Sequence, residues 1–182
     1  MNFLYDLAKA HERHEGFYPG SIAYRQNNPG NLRGIGGKFR TFSTYSEGLA
    51  ALKYDLKVKI FGTAQSVLRY MKGTEKKYEE LTFQDYVSIY APSADRNNPV
   101  SYCNALCKAL GKYNVQPSTQ LWILAQLIRG EITALPYPPP AALPLETRLK
   151  MAENALRWAS PTRASMLRRL IDRIKDAISR PS

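Results

Sequence analysis

Histidine and cysteine are scarce in this chain, with two of each among 182 residues. His11 and His14 stand together, but no Cys-x-x-Cys or His-x-x-x-His pattern accompanies them, so neither a metal nor another cofactor is expected. Cys103 and Cys107 lie four apart in a helical pattern. That spacing rarely meets disulfide geometry, so free thiols packed as small apolar side chains are expected. Long apolar runs are missing as well. Residues 121–128 are apolar, but Arg129 and Glu131 close the run far short of the ~20 residues that span a bilayer, which predicts a buried helix. At the N-terminus Asp6, Lys9 and His11 interrupt any apolar segment, and this speaks against a Sec-type leader. Acidic residues are in deficit, 15 against 26 basic ones, for a net charge of +11.

The excess charge is uneven. Residues 1–140 carry 17 basic and 11 acidic side chains, whereas residues 141–182 carry 9 and 4, so a much shorter stretch contributes almost as much net charge. A basic chain suits a carboxylate- or phosphate-rich target, nucleic acid or an anionic membrane, and charge alone does not choose among them. The sequence has no groove-reading motif and no aromatic stacking pattern, so specific nucleic-acid binding is not expected. Five prolines in residues 136–144 predict an extended, semi-rigid spacer and mark the clearest boundary. Residues 1–135 then form one domain and residues 145–182 a basic helical tail.

Within the first domain, Phe3, Leu4, Leu7, Ala8 and Ala10 recur at helical spacing and Gly16 is the expected C-terminal cap, so the predicted helix runs through Glu15. Leu32 to Ile35 and Lys38 to Tyr45 bracket Gly36-Gly37 and predict a small β-hairpin. Ser46 is the expected cap of a helix running to about Val58. Further helices are predicted over residues 64–71, over 83–90 behind a Thr82-x-x-Asp85 capping box, and over 99–112. In the tail, helices are predicted over 146–158 and 162–179, with Ser160-Pro161 starting the second. Leu167, Leu170, Ile171, Ile174 and Ile178 form a stripe on that last helix, which packs on a protein surface, the first tail helix included, or lies on an anionic membrane. Asp172 and Asp176 dilute the positive face and favour protein packing. The expected architecture is mainly helical with a small sheet.

Glu15 is the most informative residue for chemistry. It falls in the last turn of the first helix, where backbone carbonyls present partial negative charge and Phe17 and Tyr18 can exclude water. Both effects disfavour the anion, and a carboxyl that keeps its proton can serve as a general acid. Glu12 is the rival on the same face, but it sits deeper in the helix. Glu47, in the first turn of a helix where the dipole stabilises an anion, is the candidate second carboxylate, ahead of Asp55 and Asp95. Tyr24, just before the Asn-rich loop, and Tyr90 are candidate ligand contacts. Asn28 and Asn31 either brace their loop through side-chain to backbone hydrogen bonds or touch a ligand directly.

Three blocks carry a resemblance: His14-Glu15-Gly16-Phe17; Arg25-Gln26-Asn27-Asn28-Pro29-Gly30-Asn31-Leu32-Arg33; and Phe42-x-x-Tyr45-x-Glu47-Gly48-Leu49-Ala50-Ala51-Leu52. A fourth is Tyr90-Ala91-Pro92-Ser93 with Asn97, Asn98 and Tyr102. Over residues 1–114 the chain resembles lysozyme-like peptidoglycan-cleaving domains of phages and mobile elements. The resemblance implies an α+β lysozyme-like fold and cleavage of glycan strands between N-acetylmuramic acid and N-acetylglucosamine, with Glu15 as the acid and Tyr90 near the cleft. It leaves muramidase and lytic transglycosylase both open, since the latter needs no second carboxylate. Two alternatives stand beside it: a non-enzymatic virion or secretion-apparatus component of the same shape, and a chitin-cleaving glycosidase. The expected partners are peptidoglycan and, through the tail, a virion or delivery-machine protein or a membrane surface. The implied location is a virion, or the periplasm and cell wall, after synthesis in the bacterial cytoplasm.

Overall fold

A computed structural model describes residues 2–95, 97–135, 145–156 and 161–179. The chain divides into two compact units, residues 1–134 and 135–182. The first unit is helical. Helix α1 (Phe3–His14) starts at Asn2, whose side chain accepts from the Tyr5 amide at 3.1 Å, and buries Phe3, Leu7, Ala8, Ala10 and His11 on one face. That face meets α3 (Tyr45–Ile60), α6 (Pro99–Ala109) and α7 (Leu121–Arg129), so α1 lies in the middle of the unit. Two shorter helices, α2 (Ile22–Arg25) and α4 (Gln65–Thr74), flank the Asn-rich loop and the end of α3.

Local sequence explains the helix ends. Thr44, not Ser46, caps α3: its backbone is extended and its hydroxyl accepts from the Glu47 amide at 3.2 Å, while Ser46 already lies in the first turn. Helix α5 (Phe83–Tyr90) has the expected capping box, with Thr82 and Asp85 bonded reciprocally. Helix α6 opens with Asn98 as cap and Pro99 at its first position. It stops at Ala109, short of Lys112, because the chain tightens there into a 3-10 turn, Gly111–Tyr113. Helix α7 is buried almost throughout. Its β-branched residues cost tenths of a kcal/mol in helix propensity. Burying each large side chain contributes on the order of 2 kcal/mol, so packing decides.

The expected β-hairpin is not formed. The segment holds one isolated antiparallel bridge, Arg33 with Phe39, around a 3-10 turn at Ile35–Gly37 in which Gly36 and Gly37 both take positive φ. The bridge keeps two ladder bonds, from the Arg40 amide to the Leu32 carbonyl and from the Gly34 amide to the Lys38 carbonyl, each at 2.8 Å, and the Asn28 side chain takes the place of the next rung. The Asn28 amide nitrogen donates to the Leu32 and Arg40 carbonyls, each at 2.9 Å, and Phe42 turns away to bond the Gln26 carbonyl at 3.0 Å.

In the second unit α8 (Leu145–Leu156) and α9 (Pro161–Ser179) pack on each other. Ala152, Ala164, Leu167, Ile171 and Ile174 are buried. The proposed spacer at 136–144, Trp158 and the Ser160 cap lie outside the described residues. Among the described residues no helix is long and apolar enough to cross a membrane.

Candidate functional site

Glu15 is the C-terminal cap of α1, immediately after its last helical residue. The turn closes as a Schellman motif: the Phe17 amide bonds the Glu12 carbonyl at 3.1 Å, and the Gly16 amide bonds the Arg13 carbonyl at 3.4 Å. Gly16 takes φ +73°, a left-handed conformation that a residue with a Cβ enters at a cost. The turn leaves Glu15 half-buried against a cleft of about 1060 Å³.

Each carboxylate oxygen is held from a different element. Asn31, at φ +46° in the Asn-rich loop, donates its amide to Oε2 at 3.0 Å and to the Glu15 carbonyl at 3.1 Å. Tyr102 of α6 donates its hydroxyl to Oε1 at 2.7 Å. The Tyr102 ring is fixed in turn by a stack on His14, with centroids 3.7 Å apart and planes 14° from parallel. Behind it His11 is fully buried, its Nδ1 2.7 Å from the Tyr102 hydroxyl and its Nε2 2.7 Å from the Tyr86 hydroxyl. Burial drives the His11 pKa down to about 3, helped by the neighbouring charges of His14 and Lys59, so the ring is neutral at pH 7. Burial also pushes the Tyr86, Tyr90 and Tyr102 phenols up, and all three keep their protons.

The opposite wall of the cleft comes from α3 and α4. Asp55 and Lys59 form an i,i+4 ion pair, with the Lys59 ammonium 5.5 Å from the centre of the Tyr90 ring. Arg33, Arg40 and Arg69 add positive charge, and Asp95 lies at the end beyond Pro92. Arg33 covers Phe39 at 4.7 Å and Arg40 covers Phe42 at 4.6 Å, so these guanidinium groups are positioned by aromatic faces.

The residues singled out from sequence therefore separate. Glu15, Asn31 and Tyr90 line one cleft. Tyr90 donates its hydroxyl to the Gly30 carbonyl at 2.8 Å, which ties α5 to the Asn-rich loop. Asn28 takes the first of its two roles: with no exposed surface, it donates to two carbonyls and accepts from the Leu32 amide at 2.9 Å, so it braces the loop and is out of reach of a ligand. Tyr24 is exposed on α2, its ring 5.3 Å from Phe17, and is not part of the cleft lining. Glu47 is exposed at the start of α3, accepts from the Ser43 amide at 3.0 Å, and also lies outside the lining. Tyr18 stays exposed and leaves the covering of Glu15 to Asn31 and Tyr102.

Glu12 is committed elsewhere. It is buried, ion-paired with Lys9, and accepts from the Tyr45 hydroxyl at 2.6 Å. Sequence reasoning did not assign roles to His11, Tyr86 or Tyr102. For His11 the available signal was its position four residues before Glu15, which puts both on one helix face. Among the described residues no group of three or more histidine, cysteine or acidic side chains could hold a metal ion, and Cys103 and Cys107 are free thiols. No protein-family model, curated protein or solved structure matches the chain.

Proposed function

We propose that the first unit cleaves peptidoglycan glycan strands between N-acetylmuramic acid and N-acetylglucosamine, with Glu15 as the general acid. The observation that carries this reading is a carboxyl at a helix C-terminus, half-buried on the wall of an open cleft, with each oxygen held by one neutral donor. Such a carboxyl is fixed in direction without an ion pair to tie up its charge. The cleft, at about 1060 Å³, has room for more than one sugar, and its mixed arginine and aromatic lining suits a glycan that carries carboxylates.

Glu15 would protonate the glycosidic oxygen as the bond to the leaving sugar breaks. Of the candidate second carboxylates Glu47 lies outside the cleft lining and Asp55 is paired with Lys59, while Asp95 stays in the lining; the resemblance also allows a route with one carboxylate. In that route Glu15, now ionised, takes the proton of the muramoyl hydroxyl, which closes an anhydro ring; hydrolysis would place water there instead. The second unit would hold the enzyme on a virion or delivery machine.

Turbidity loss of purified sacculi tests the assignment. Glu15→Gln keeps size and hydrogen-bonding reach but has no proton to give, so activity should fall at least 100-fold, the lower end of what general acid catalysis contributes. Glu12→Gln should act through stability alone. Near-normal turnover by Glu15→Gln would sink the assignment, and a folded, sacculus-binding wild type without activity would favour a binding protein. Released muropeptides lighter by one water mark transglycosylation, whereas a reducing-end sugar marks hydrolysis. Chitin oligomers as parallel substrates test the wider glycosidase reading.

A further inference from the structure

Tyr86, His11 and Tyr102 make a continuous line of hydrogen bonds that ends on Glu15 Oε1, with every link at 2.7 Å. His11 and Tyr86 are fully buried and Tyr102 nearly so, which shields the line from water. A neutral imidazole has one N–H and one lone pair, so fixing the role of one ring nitrogen fixes the other. Each phenol likewise has one hydrogen to give. With Glu15 ionised, Tyr102 must donate to it, His11 Nδ1–H must donate to the Tyr102 oxygen, and the Tyr86 hydroxyl must donate to Nε2. A donor in place of the Oε1 acceptor would invert the order: it would give to Tyr102, Tyr102 to Nδ1, and Nε2–H to the Tyr86 oxygen.

We infer that this buried line is a hydrogen-bond chain whose direction is set by the group it meets at position 15, and that His11 is a positioning residue acting on Glu15 through Tyr102. One proton enters or leaves at the carboxyl, from the cleft side. None leaves through the chain, because the deep end is a phenol that keeps its own proton. The chain's catalytic value rests on the glycosidase reading: Tyr102 is held as a donor to Oε1 before Glu15 surrenders its proton towards the cleft, so the charge that develops meets a hydrogen bond already in place.

The test uses the whole chain labelled with nitrogen-15 and carbon-13 at histidine. Only two histidines are present, and His11→Gln identifies which signals belong to His11. At alkaline pH, with the carboxylate ionised, His11 should carry its proton on Nδ1. In Glu15→Gln the Asn31 amide holds the new amide oxygen, so the new NH2 group faces Tyr102 and donates to it; the His11 proton should then be on Nε2. The same tautomer in both proteins overturns the chain. A second arm is Tyr102→Phe, which keeps the stack on His14 and removes the link: kcat should fall about tenfold or more while KM stays within about twofold. Unchanged kcat overturns the positioning role. The two readings fail separately. An inactive Glu15→Gln with an unchanged tautomer removes the chain and leaves the enzyme assignment, whereas a switched tautomer with full turnover does the reverse.

Discussion

Glu12 and Glu15 stand three residues apart on α1 in opposite surroundings. Glu12 is ion-paired and buried beside Lys9 and Tyr45, whereas Glu15 has only neutral donors and faces the cleft. Helix periodicity cannot separate them. The Schellman turn does, by ending the helix at Glu15 and placing it beside Asn31. His11, one turn earlier, carries a residue-scale prediction about stability. Its folded pKa of about 3 lies below the unfolded value of 6.5, so between those values the unfolded chain binds the extra proton. The stabilising effect is fully present above pH 6.5 and is lost as pH falls towards 3. Urea unfolding of the wild type should therefore lose about 2 kcal/mol between pH 7 and pH 5, and His11→Gln, although less stable overall, should lose much less. Equal losses in the two proteins would show that His11 is charged or hydrated in the folded state.

Helix α3 explains a glycine that helix propensity alone would replace. Gly48 lies in its first turns, and a Cβ there would stand 1.8 Å from the Asn27 backbone oxygen and 3.0 Å from Pro29 Cδ. Gly48→Ala gains about 1 kcal/mol in propensity. Moving a backbone segment aside costs more, in the range of overpacked cores, so a net loss of about 2 kcal/mol is expected in denaturant unfolding. Because the displaced loop also carries Asn31 to Glu15, sacculus cleavage should fall in the same variant while still folded. A more stable, fully active variant would show that the loop is free to shift. Three helices were legible from a marker of their own, Thr82 with Asp85, Pro99, and Gly16 after Glu15, whereas α3 was expected behind Ser46 and α2 was not expected. The expected strand pair did not form. Leu32–Ile35 and Lys38–Tyr45 have strand-like composition, but Asn28 takes the Arg40 carbonyl and the Leu32 amide that the next rung would need, and this competition is invisible in a pattern of apolar and polar residues. Likewise the chemistry of Asn28 and Asn31 is the same in sequence. One is buried in the loop and the other turns its amide to Glu15.

At the scale of the molecule, the boundary between Ala134 and Leu135 falls where proline-rich sequence begins. Each unit can therefore be asked for one property. The pairing of His11 with Tyr102, 91 residues apart, and with Tyr86, 75 apart, is long-range packing that no local pattern reveals, yet all three residues lie inside the first unit. The core that holds them, Leu7, Leu52, Leu56, Leu106 and Ile123, lies there too. A chain ending at Leu135 should fold, keep the Glu15 site and cleave sacculi at a rate within about twofold of the full chain, since no residue of the site is lost. In the second unit three residues of the α9 stripe are already used: Leu167, Ile171 and Ile174 are buried and α9 packs on α8, while Ile178 stays exposed. Membrane insertion of that stripe would require the two helices to separate and the buried residues to change partners, so attachment should instead use the exposed basic face around Arg168 and Arg169. Arg168→Glu with Arg169→Glu reverses that face without touching the stripe. Co-purification with the particle or membrane fraction should drop while activity on isolated sacculi stays at the wild-type level. Full association of the double variant would remove the docking role of this face, and loss of cleavage by the chain ending at Leu135 would make the second unit part of the enzyme.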